Sequence, residues 1–222
     1  MGVRDEQNPV PAGPTQVELD SAKIRTLAHP LRARLLAALR LDGPATATGL
    51  ARTLATNTGA TSYHLRQLAE VGLVIEEPDR GSTRQRWWRA AHERHRWAPT
   101  DFEQDPDDRA ASDWLIEFAL RALTEQAGRW HAARPGYPRP WRDAASYHDS
   151  LLDLTPDQLK GLNAELVEVV ERYRTGPGPS RRIETPDRPA GGSATAGQTE
   201  QVFFAMYGFP LVRPDAERGG VS

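Results

Sequence analysis

Thr61-Ser62-Tyr63-His64-Leu65-Arg66-Gln67-Leu68-Ala69-Glu70-Val71-Gly72-Leu73-Val74 is the stretch whose reading decides the fold. Leu65 and Leu68 lie one helical turn apart and so share a face. Asn57, upstream, can cap a helix that starts at Thr58 and runs to about Val71. Gly72 then falls in the position after the last helical residue, where a left-handed backbone ends helices. Leu73-Val74-Ile75 is apolar and largely β-branched, which reads as a strand. A capped helix therefore hands over to a strand through a single glycine.

The neighbouring segments extend the pattern. Asp20 or Ser21 can cap a short helix whose Ile24, Leu27 and Ala28 share a face. His29 ends it, because the residue before Pro30 avoids the helical region, and Pro30 suits the first turn of the next helix. Leu31, Leu35, Leu36 and Leu39 form that helix's apolar stripe, which stops at Asp42-Gly43-Pro44. Thr46 can cap Ala47–Leu54, with Leu50, Ala51 and Leu54 inward. Beyond the strand, Pro78-Asp79-Arg80-Gly81-Ser82 is a turn cluster, and Arg84–Arg89 reads as the returning strand. Trp87 and Trp88 are adjacent on it, so one points inward and the other outward. The expected order is three helices, a recognition-type helix and a hairpin.

These residues resemble the ArsR-like winged-helix repressors. The run Ser62-x-His64-Leu65-x-x-Leu68-x-x-x-Gly72-Leu73-Val74 is similar to that family's recognition helix and the strand behind it. Leu27-Ala28-His29-Pro30-Leu31-Arg32 and Leu50-Ala51 match its opening helices, so the resemblance covers residues 20–97. It implies a dimeric transcriptional regulator that places one helix per subunit in the major groove of double-stranded DNA at a palindromic operator. Ala60 stands where the family usually has a polar residue, so the resemblance implies no base contact there. The family's thiolate metal site has no counterpart, since the chain contains no cysteine. Asp113 and His131 lack the companion ligands of its zinc site and read as surface residues, so neither a metal nor a cofactor is expected.

The residues support the same reading without the family. A helix N-terminus offers free N–H groups and positive potential to a phosphate. Thr58, Gly59, Ser62 and Tyr63 occupy that end of the helix, with Arg66 one turn on and Thr48 on the preceding helix. Arg80, Ser82, Thr83, Arg84 and Arg86 lie on or beside the hairpin tip, where a wing reaches backbone or minor groove. His64 suits either a phosphate contact or an internal hydrogen bond. Net charge adds contrast: residues 21–97 carry +7, against -3 for 1–20 and -6 for 98–222, within a total of -2. One part is built to meet a polyanion and the rest is not. The alternative of another class is a winged helix used for protein contacts without DNA; RNA recognition would need stacking aromatics on an open sheet.

Downstream of the wing the pattern is helical. Residues 107–133 carry a wide apolar stripe that includes Trp114, Leu115, Phe118, Leu123 and Trp130, the natural dimerisation element. Pro135, Pro138 and Pro140 break it. Thr155-Pro156-Asp157-Gln158 has a cap, a proline at the first position and a glutamine three after the cap, a strong helix start. Leu159, Leu162, Leu166, Val169, Val170 and Tyr173 carry that helix on. Val202–Tyr207 has a buried-strand composition. With the two helices it could cover a ring-lined pocket for a small apolar effector. The carboxylates of 101–108 read as a solvated linker. His92-Glu93-Arg94-His95 has the wrong spacing for a zinc-hydrolase motif, and no nucleophile elbow or phosphate loop occurs, so nothing points to an enzyme.

The expected fold is therefore mainly α with a small β-hairpin wing. A flexible tail at 1–19 precedes a winged helix-turn-helix domain at 20–97. A helical dimerisation and effector module follows at 98–222, with a loose linker at 175–199. No apolar run is long enough to span a bilayer and the N-terminus lacks a secretory pattern, which makes a cytoplasmic protein the expectation.

Overall fold

The computed structural model describes residues 16–78, 86–174 and 200–212. Two units divide the chain, Met1–Ala122 and Leu123–Ser222. In order, the first holds β1 (Gln16–Glu18), α1 (Ser21–Leu27), α2 (Pro30–Leu41), β2 (Ala45–Thr46), α3 (Ala47–Thr53), α4 (Thr58–Glu70), β3 (Val74–Glu77), β4 (Trp87–Ala90) and β5 (Arg94–Arg96). It also holds the first part of α5 (Pro106–Ala133); α6 (Arg139–Ala144) and α7 (Pro156–Arg174) belong to the second. The architecture is mainly helical with a small antiparallel hairpin.

Local chemistry fixes the helix starts. Asp20 accepts the backbone N–H of Lys23 at 2.9 Å, Thr46 that of Gly49 at 3.1 Å and Asn57 that of Ala60 at 2.7 Å. Each side chain satisfies one of the N–H groups that a helix leaves unpaired at its start. At α2 the cap is His29, whose Nδ1 accepts the N–H of Leu31 at 3.1 Å, with Pro30 in the first turn. Thr155 and Gln158 cap α7 reciprocally, each side chain accepting the other residue's backbone N–H at 3.3 and 2.8 Å. Gly72, at φ +72°, turns the chain from α4 into β3. Between α3 and α4 the left-handed position is held by Ala55, at φ 51°, a conformation that costs a residue with a Cβ.

One apolar core joins these elements. Ile24, Leu35, Leu65, Leu68, Leu73 and Val74 are fully buried in it, from α1, α2, α4 and the strand entrance. β4 lies between β2 and β3, with Ala45 opposite Trp88 and Glu76 opposite Trp88 on the other side. Trp88 is buried and Trp87 half-buried, the alternation a strand imposes.

Three features of this unit depart from the sequence reading. Gln16–Glu18, assigned to the tail, forms β1 and pairs in parallel with β5, Val17 opposite His95; residues 1–15 lie outside the described residues. The core does not end at the wing: Phe102, Ala111 and Leu115 are buried in it, and the indole N–H of Trp97 donates to the buried Ser112 hydroxyl at 3.0 Å. The 101–108 carboxylates are not simply solvated. Asp108 is buried and bonded to the Arg25 guanidinium, which also meets Asp105 at 2.8 Å and Asp107 at 3.9 Å. Hydrogen bonds from Arg25 and Ser21 hold the Asp108 carboxyl below its ordinary value.

In the second unit Trp130 meets Tyr137 edge to face at 5.1 Å. The expected buried strand at 202–207 is not one. Val202, Phe203, Phe204, Met206 and Tyr207 are exposed, and residues 200–212 form no strand. An apolar composition predicts burial; it does not say against which surface. The effector pocket that this cover would have closed loses that wall. The loose linker at 175–199 lies outside the described residues. Among the described residues no helix is long and apolar enough to cross a membrane, and no three His, Cys, Asp or Glu side chains gather as a metal site. Asp113 and His131 are both exposed.

Candidate nucleic-acid interface

α4 stands on the core through Thr61, Leu65 and Leu68 and turns its other face outward. Thr58, Gly59, Tyr63 and Arg66 are exposed on that face and Ser62 is half-buried. α3 presents Thr48, also exposed, and the start of the returning strand presents Arg86. Between these elements lies an open hollow of about 390 Å³. Its walls bring together Thr48, Thr58, Ser62, Arg66 and Arg86, five of the residues singled out by sequence. Gly59 and Tyr63 lie on the same helix outside the hollow. Arg80, Ser82, Thr83 and Arg84 lie outside the described residues.

The sequence reading missed the other lining residues. Thr46 and Ala47 come in with the N-terminus of α3, and Trp88 contributes from β4. The signal for Thr46 was present, since a cap side chain stands where its helix meets a ligand. Trp88 gave none, because an inward tryptophan on a strand is indistinguishable by sequence from plain core.

The electrostatics favour an anion. Asn57 takes the N–H of Ala60 with its side chain and that of Thr61 with its carbonyl, and the N–H groups of Thr58 and Gly59 are left at the positive end of the helix dipole. Arg66 donates its Nε–H to the Ser62 carbonyl at 3.2 Å, which holds the guanidinium along the helix, toward its N-terminal half. Arg86 lies 3.6 Å from Glu76 across the hairpin, with both side chains well exposed. Such a pair is worth at most about 1 kcal/mol, little enough for a phosphate to displace the carboxylate. Arg89 and Glu77 form a similar pair at 3.4 Å.

His64 faces the other way. Its ring lies 4.5 Å from that of His29, with the Tyr63 ring edge-on at 5.2 Å, and its Nδ1 is buried without a hydrogen bond among the described residues. Burial, then His29 and Arg32, push its pKa down; burial and then Arg32 do the same to His29. Neutral rings are what this contact favours, since His29 needs an unprotonated Nδ1 to cap α2. The internal hydrogen bond expected of His64 is not made at Nδ1 among the described residues; the ring instead packs against His29 and Tyr63.

The residues assigned to dimerisation are divided. Leu115 is buried in the first unit's own core. Trp114 and Phe118 stack on each other at 5.2 Å, partly buried against that core. Leu123 and Trp130, in the second unit, are half-buried.

Comparison with known proteins agrees with the first unit. A helix-turn-helix domain family matches residues 27–77, from the end of α1 to the end of β3. No curated protein matches the chain. Among solved structures, the chain is similar to that of RV1404 from Mycobacterium tuberculosis, at 15% identity over 71% of this chain and 83% of that one; the TM-score is 0.29, too loose to carry an argument.

Proposed function

We propose that this chain, whose residues 27–77 match a helix-turn-helix domain family, reads double-stranded DNA sequence-specifically as a dimeric repressor. The observation that carries this reading is the hollow where Thr48, Thr58, Ser62, Arg66 and Arg86 converge from three elements. The exposed face of α4 enters the major groove, with Thr58, Gly59, Ser62, Tyr63 and Arg66 nearest the bases. Its N-terminal N–H groups and Thr48 meet the backbone on one side. Arg86 meets it on the other, and Arg80, Ser82, Thr83 and Arg84 add further contacts to the DNA. Two copies then address two half-sites, with the contact between them C-terminal to the wing.

The test is titration of the full chain onto duplex DNA over a series of salt concentrations. A linear fall of log affinity with log salt is expected, because bound phosphates release counterions. Arg86→Ala should weaken binding to every sequence and lower the salt slope by about one contact. Arg66→Ala should weaken chosen sites more than mixed-sequence DNA. Binding that is absent at low salt, or that does not depend on salt, leaves the winged helix as a protein-interaction module and overturns the proposal.

A further inference from the structure

The second unit leaves most of its large apolar residues uncovered. Along 201–212, Val202, Phe203, Phe204, Met206, Tyr207, Phe209, Leu211 and Val212 are all exposed. Among the described residues of this unit, no backbone hydrogen bond involves residues 201–212. The segment runs beside α7: a methyl group built on Gly208 would stand 3.3 Å from Leu159 and 3.7 Å from the Asn163 amide oxygen. On α7 itself Leu166, Val167, Val169 and Tyr173 are exposed, and Tyr147, Leu151, Leu152 and Leu154 are exposed in the stretch before it. Composition suited to a buried strand, unpaired backbone and exposed rings therefore coincide in one segment.

The size of this surface says what it needs. Phe203 is 55% exposed, Phe204 66%, Tyr207 48% and Phe209 74%. At roughly 200 Å² per aromatic residue, these four rings alone present about 500 Å². That exceeds half of the ~800 Å² per partner that a standard stable interface buries. Val202, Leu211, Val212 and the uncovered residues of α7 bring the total to interface size. A monomer in water rarely keeps so much apolar surface open. By contrast, Leu115, Trp114 and Phe118 of α5 already pack within their own unit, so they have less surface left to offer a partner.

We propose that residues 201–212, together with the exposed stripe of α7, form the surface on which a second copy of this chain docks. The contact is isologous, the same surface meeting itself across a two-fold axis, and the unpaired backbone of 201–212 supplies strand-like hydrogen bonds across it. The choice of a second copy as occupant rests on the reading of the chain as a dimeric DNA-binding regulator, whose two half-sites require two recognition helices.

The experiment compares the full chain with its Phe204→Glu, Phe209→Glu double variant by sedimentation velocity over a concentration series, and titrates both onto a mixed-sequence duplex. The parent should self-associate, and the variant should do so about 100-fold more weakly, from roughly tenfold for each of the two substitutions, each present once in either copy. Both should bind the duplex with the same salt slope per protomer, which also shows that the variant is folded. A Met206→Cys chain, carrying the only thiol, should be alkylated slowly when concentrated and faster on dilution. A parent that stays monomeric, a double variant that self-associates as strongly as the parent, or alkylation independent of concentration each overturns the proposal. Self-association lost in the variant while neither protein binds DNA would keep this surface and reject the regulator reading.

Discussion

Lowering the pH from 7 to 5 should destabilise the first unit chiefly through His95. Its Nδ1 lies 2.6 Å from the Arg40 guanidinium, and its ring packs 5.6 Å from that of Trp97. Arg40 donates its Nε–H to the carbonyl of His92 at 3.0 Å; burial lowers its pKa to about 10, so it stays cationic. Facing this cation, His95 must accept through Nδ1 and carry its proton on Nε2. Burial first, and then Arg40, push its pKa from 6.5 down to about 3.

The sign and size follow from proton linkage. Above pH 6.5 the ring is neutral whether the chain is folded or not, and the stability is at its full value. Below 6.5 the unfolded chain takes up a proton that the folded chain refuses, so stability falls until the pH nears 3. At 1.36 kcal/mol per pH unit the step from pH 7 to 5 costs about 2 kcal/mol, a large share of the roughly 5–15 kcal/mol of a typical domain. The window stays above the range where Asp20, Asp105 and Asp108, all lowered, begin to lose their own contribution. His29 and His64, also lowered, act in the same direction as His95. Urea unfolding at several pH values, in the parent and in His95→Gln, isolates the term: the variant's loss between pH 7 and 5 should be smaller by about 2 kcal/mol. An imidazole resonance of His95 that titrates near 6.5, or a variant with the parent's pH dependence, would refute the argument.

Asn57→Ala removes the cap of α4 and should cost about 1 kcal/mol, read as a lower urea midpoint at unchanged slope. If α4 reads DNA as proposed, affinity should fall with it, as the first turn of α4 frays. Leu65→Ala opens a cavity under the same helix, where the side chain is fully buried, and should cost about 2–5 kcal/mol; a loss below 1 kcal/mol in thermal or urea unfolding would show that the core collapses around it.

Much of the first unit could be read along the chain because its determinants are local. Asp20, Thr46 and Asn57 each act on a backbone group within three residues, as the Thr155–Gln158 pair does in the second unit, and Gly72 acts on its own φ. β1 could not be read so, because Gln16–Glu18 gains its order from Arg94–Arg96 some 78 residues away, and its own sequence looks like tail. Arg40 and His95 were equally silent: a buried cation facing a neutral imidazole needs two distant segments to meet. The candidate site was half legible. Residue type and position gave Thr48, Thr58, Ser62, Arg66 and Arg86, and the cap signal pointed to Thr46, whereas Trp88 joined only when α3, α4 and β4 met around the hollow. The segment 202–207 misled for the opposite reason: its hydrophobicity is real, yet its side chains are exposed and it forms no strand.

The first unit also depends on residues well past the wing, and that dependence can be measured. Phe102 and Leu115 are each nearly completely buried in its core, Trp97 is anchored on Ser112, and Arg25 on α1 is held by Asp105, Asp107 and Asp108 at the start of α5. Ending the chain after Trp97 removes all of these partners together. Burial of Phe102 and Leu115 is worth about 1.5–3 kcal/mol each, and the buried Trp97–Ser112 bond adds about 1 kcal/mol. The loss of roughly 5 kcal/mol approaches the whole stability of a small domain. A fragment 1–122 should therefore unfold cooperatively, with slow amide exchange at Leu65 and Leu68, whereas a fragment 1–97 should melt at least 15 °C lower or without a cooperative transition, at about 4–8 °C per kcal/mol. Arg25→Met within 1–122 should lie between them, since it leaves Asp108 buried beside the Ser21 hydroxyl alone. Equal melting of the two fragments would mean that α5 merely rests on the winged core and that the contacts at Phe102 and Leu115 contribute nothing to its stability.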